Sequence, residues 1–154
     1  MQEDMSRGAG SAFGGNKTKS ILLVLIPAVI SFVLTPLIWH RPMGGMMPSP
    51  AQLPFFIILG VVESLAFGAG VLFIFKGWPL IKQVGNVSEN LKCWAFFAIT
   101  WSLMSWWPHD NFHQVIGHGD FQSLLYIEYS FHLTLIISAI IIASFFVSAL
   151  KNRQ

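Results

Sequence analysis

His109, Asp110, His113, His118 and Asp120 fall in one short polar stretch, Trp106-Trp107-Pro108-His109-Asp110-Asn111-Phe112-His113-Gln114-Val115-Ile116-Gly117-His118-Gly119-Asp120. Elsewhere ionisable groups are sparse: 54% of the 154 residues are hydrophobic and 10% are charged. Imidazoles bind copper, zinc and iron, and carboxylates complete or orient such sets, so this stretch reads as a metal site. Pro108 suits the first turn of a short helix, where its missing N–H would be unpaired in any case. His109 and His113 then lie one turn apart on one face, with Asp110 beside them. Gly117 and Gly119 flank His118 and give the backbone freedom to fold a third imidazole back.

The next apolar segment opens with Asp120 or Ser123 as a helix cap and carries Glu128 and His132 four residues apart, on a shared face. Counting up from Lys151 at ~1.5 Å per residue brings His132 to the edge of the hydrocarbon and Glu128 one turn above it. The expected ligand set is therefore His109, Asp110, His113, His118, Glu128 and His132. A second set, His40, Met43, Met46 and Met47, lies in the preceding polar loop and suits secondary metal capture. Thioethers bind Cu(I), so the mixture of His and Met favours copper over zinc or iron.

Glu63 lies inside an apolar segment, where an ionisable group is costly unless it is protonated, paired or hydrated. Gly60, Ser64 and Gly68 repeat beside it at four-residue spacing, a stripe of small residues that admits a neighbouring helix. Glu63 is thus expected to point inward below the metal site, to pair with His132, accept protons or contact an ion. A hydrogen bond to Ser64, Ser102 or Ser105 is the structural alternative.

Four apolar segments, at about 21–39, 54–75, 91–107 and 121–150, position these residues, each near the ~20 residues that cross a ~30 Å hydrocarbon core. Within that core such runs satisfy their backbone as helices. The expected fold is an all-α integral membrane protein with four transmembrane helices. If the segments alternate, Arg7, Lys17, Lys19, Lys76, Lys82, Lys92, Lys151 and Arg153 share one side against Arg41 on the other. That asymmetry predicts cytoplasmic N- and C-termini and an extracytoplasmic His-rich loop. Residues 1–20, Gly/Ser-rich and polar, are expected to form a flexible cytoplasmic tail, with a second tail at 151–154. Cys93 is the only cysteine, so an intramolecular disulfide is excluded.

The placing of carboxylates and histidines near the outer ends of helices resembles copper-dependent membrane monooxygenases in that one respect. Asp110-x-x-His113 maps onto no ligand motif of theirs, so no residue role is carried over. A Gly-rich phosphate loop, a nucleophile elbow and HExxH are all absent, and no residue is assigned a catalytic role. The sequence thus predicts a membrane protein with an extracytoplasmic metal site, acting in metal handling or as a subunit of a membrane redox complex. Its expected partners are the bilayer and other membrane subunits or further copies of itself, and no nucleic acid. In the alternative reading the polar loop is a hydrogen-bonded staple within a purely structural accessory subunit. A small proton-coupled transporter built around Glu63 is the third.

Overall fold

The computed structural model describes residues 17–39, 48–85, 87–116 and 120–151. His40, Met43, Met46, Met47, His118 and most of the N-terminal tail lie outside the described residues. Every regular element among the described residues is helical: α1 (Lys17–Ile38), α2 (Leu53–Lys82), α3 (Glu89–Met104), α4 (Trp106–Val115) and α5 (Phe121–Ile127). A π-helical turn (Glu128–Leu133) then joins α5 to α6 (Thr134–Lys151).

Among the described residues, three helices are long and apolar enough to cross a membrane: α1, α2 and the continuous run Phe121–Lys151. The segment expected at 91–107 divides at Ser105. Its first part, α3, has 16 residues and so spans only ~24 Å, less than a hydrocarbon core. Pro108 supplies the reason for the division. It has no N–H for the carbonyl four residues earlier, that of Met104, and its ring crowds that carbonyl. α3 accordingly ends at Met104 and α4 restarts at Trp106, with Pro108 in the first turn of the new helix.

α1 packs on α2, α2 on α3, and α3 on α6, while α4 folds back against α2. The small-residue stripe is where α1 sits. A Cβ added at Gly68 would lie 2.1 Å from the carbonyl oxygen of Val24 and 3.3 Å from Ala28 Cβ. Within α1, Ser31 Oγ donates to Ala28 O at 3.0 Å and Thr35 Oγ1 to Ser31 O at 2.9 Å, beside Pro27 and Pro36, which remove backbone donors.

The two ends of the bundle are built differently. At one, Ile81, Val87, Ala95 and Phe145 form a buried cluster with Phe73, Trp78, Leu91 and Phe96 around it. Ser88 caps α3 there, accepting from Leu91 N, and the buried Lys92 ammonium is held by Glu89 at 2.9 Å and by the carbonyl of Lys82. At the other end, aromatic rings anchor α4. Trp107 Nε1 donates to Thr35 Oγ1 at 2.9 Å, and Trp39 meets Phe112 edge-on. Large apolar side chains are exposed along α1, α2 and α6, Phe55, Phe75, Ile136 and Ile140 among them, as expected of a chain solvated by lipid or covered by other subunits.

Candidate metal centre

His109 and His113 lie one turn apart on α4, and the fold-back of that helix turns both rings toward the π-helical turn. There Glu128 and His132 stand on one face. Asp120 caps α5 with its side chain accepting from Ser123 N at 3.0 Å, which directs the run up past α4. π-turns insert a residue into the helical ladder and recur at functional sites. Nothing in Glu-Tyr-Ser-Phe-His-Leu marks this turn in advance, since no Pro or Gly interrupts the segment.

The result is a cluster of three imidazoles, His109, His113 and His132, each with a nitrogen within 4.8 Å of the others. His109 is 5% exposed and sits between Trp106, Phe131 and the other two rings. His113 and His132 are half-exposed. Asp110 Oδ1 lies 3.0 Å from His109 Nδ1, and Glu128 Oε2 hydrogen-bonds His132 Nδ1. A carboxylate accepts, so each Nδ1 carries the proton and each Nε2 presents its lone pair. The Nε2 atoms of His109 and His113 face each other at 3.1 Å, and His113 Nε2 is 3.7 Å from Glu128 Oε1.

Two ring nitrogens that close need a proton or a cation between them. With a proton on His113 the contact is a hydrogen bond. With a metal it approaches the ~3.3 Å separation of two tetrahedral ligands at ~2.0–2.1 Å from zinc. His132 lies on the exposed side, its ring centroid 4.8 Å from that of His109. The donor set fits a first-row transition metal in either case.

Of the residues expected to ligate, the structure brings His109, His113 and His132 together and puts Asp110 and Glu128 behind two of them. For Glu63 the sequence leaves open a pairing with His132, proton acceptance, contact with an ion, or a hydrogen bond to Ser64, Ser102 or Ser105. In the structure Glu63 meets Asp110 instead, carboxyl against carboxyl, because α4 lies across α2 and His132 is already held by Glu128. Two carboxyl groups in contact require a shared proton or a cation. Glu63 is 6% exposed, and no hydrogen-bond donor reaches its Oε1 among the described residues. Sequence reasoning also missed Asn111. It is buried and donates to the Trp107 carbonyl at 2.6 Å, tightening the turn that carries His109.

No protein-family model, curated protein or solved structure matches this chain.

Proposed function

We propose that this chain is a four-span membrane protein, termini in the cytoplasm, that holds a transition-metal ion at His109, His113 and His132 on the extracytoplasmic side. α3 with α4 supplies the third crossing. The observation that carries the reading is the carboxylate behind each of two converging imidazoles. Asp110 on His109 Nδ1 and Glu128 on His132 Nδ1 fix the tautomer that leaves Nε2 free, the arrangement that orients metal-bound histidines elsewhere. A network serving only to staple α4 to α5 has no need for a third imidazole beside the facing Nε2 atoms of His109 and His113.

Copper is favoured, because Met43, Met46 and Met47 add three thioethers, and His40 an imidazole, on the same side of the membrane; zinc and iron suit the three imidazoles equally well. The role is metal handling or a redox task within a membrane complex. The exposed apolar faces of α1 and α6 support assembly with other subunits, so an accessory subunit that carries a metal satisfies both readings.

The decisive experiment is elemental analysis of protein purified gently from its native membrane, counting copper, zinc and iron per chain beside a His109→Ala/His113→Ala variant. Near-stoichiometric metal lost in the variant is the expected result. Absence of metal from both samples leaves a structural subunit with a hydrogen-bonded staple. Glu128→Gln tests the orienting role separately: the fold should be unaffected and metal affinity should fall about 10–100-fold, read by competition with a chelator of known affinity.

A further inference from the structure

We propose that a cavity between α1, α2 and α4 binds a neutral membrane-soluble amphiphile, a phenol or alcohol with an apolar body, whose hydroxyl donates to the carboxyl of Glu63. The cavity has a volume of about 380 Å³, within the range of small-molecule sites. Its walls are apolar, with Phe32, Phe56 and Ile57 prominent, while Glu63, Asn111 and Trp107 border one part of it. This combination of an apolar body and a few polar groups is what orients an amphiphile.

Glu63 makes the polar part specific. Its side chain is more than nine-tenths buried and its Oε1 lacks a donor among the described residues. A buried acceptor left without a partner is costly, so a ligand that brings an O–H group recovers that cost. The donor must come on a molecule whose remainder prefers hydrocarbon. Phe56 and Ile57 line the cavity and are also exposed on the apolar surface of the bundle, which makes the bilayer the source. Trp107 and Asn111 belong to the same helix as His109 and His113, so the bound hydroxyl lies beside the imidazole cluster. The inference does not depend on whether that cluster holds a metal.

Gly60 provides a means of closing the cavity without touching Glu63. It lines the wall, and a Cβ added there meets only the Phe32 ring, at an ordinary 3.6 Å. Gly60→Leu therefore fills the space with little strain on the helix.

The test is equilibrium binding of tritiated 4-butylphenol to the full-length protein in phosphatidylcholine nanodiscs, with empty nanodiscs subtracted and metal per chain counted in every sample. Saturable binding near one per chain is expected. It should weaken about tenfold in Glu63→Met, which keeps the length of the side chain and removes the accepting oxygen, and vanish in Gly60→Leu while the metal count stays at the wild-type value. 4-Butylanisole, which has the same body and no donor, should displace the probe at least tenfold less well. Non-saturable uptake by the wild type, equal displacement by the ether, or undiminished binding in either variant would overturn the proposal. Loss of metal without loss of probe binding would count against the metal centre alone.

Discussion

Replacing His113 or His132 by Ala should lower metal affinity by on the order of 100-fold or more while leaving the helical content unchanged. Loss of an orienting partner alone costs 10–100-fold, and these variants remove a ligand outright. They separate binding from folding better than changes at His109. His113 and His132 are half-exposed, with side-chain exposures of 31% and 46%, so truncation leaves no buried void. His109 is enclosed by Trp106, Phe131 and the two other rings, and its removal also strips the carboxyl pair of Asp110 and Glu63 of its hydrogen-bond neighbour. The measurement is a chelator competition on purified protein, with far-UV circular dichroism as the check on folding. Undiminished affinity in both single variants would remove the cluster from consideration as a metal centre.

Gly68→Ala should be the most destabilising of the single-methyl additions on α2, by about 1–3 kcal/mol, the usual range for overpacking. A Cβ at this position would stand 2.1 Å from the carbonyl oxygen of Val24 and 3.0 Å from its carbonyl carbon. Both are backbone atoms of α1, so relief requires the whole helix to move away and thereby loosens the seating of its Ala28 against α2. Gly70→Ala is the informative comparison. Its obstacle is Met104, whose Cγ would be 2.3 Å away, and a methionine side chain adapts readily. The intrinsic helical gain of Ala over Gly, about 1 kcal/mol, offsets most of that adjustment, leaving Gly70→Ala close to wild type. Thermal unfolding in a mild detergent should rank Gly68→Ala well below Gly70→Ala. Equal midpoints would mean that α1 does not seat on this stripe.

Much of the local structure is legible in the residues themselves. Long apolar runs predict the helices, Pro108 predicts a new first turn, Asp120 or Ser123 is offered as a cap, a choice that the structure makes in favour of Asp120, and the four-residue spacings place His109 with His113 and Glu128 with His132 on shared faces. Each of these follows from backbone geometry repeating every 3.6 residues, which needs no knowledge of distant neighbours. The stripe Gly60, Ser64 and Gly68 likewise announces a close helix contact, though not which helix makes it.

Other features depend on how the helices meet. The break at Ser105 lets α4 turn back, but its direction is set by Trp107 reaching Thr35 and by Trp39 packing on Phe112, residues far apart in the chain. That fold-back brings Asp110 to Glu63, where depth-counting along separate helices leaves a pairing with His132 among the open choices. It also decides which imidazole nitrogens converge, because tautomer and ring direction follow from the carboxylate beside each Nδ1. Sequence alone thus determined an all-helical, membrane-suited chain and the residues able to bind a metal. Only the tertiary structure decided their partners, since a side chain's periodicity fixes its face while contact across the bundle fixes what it touches.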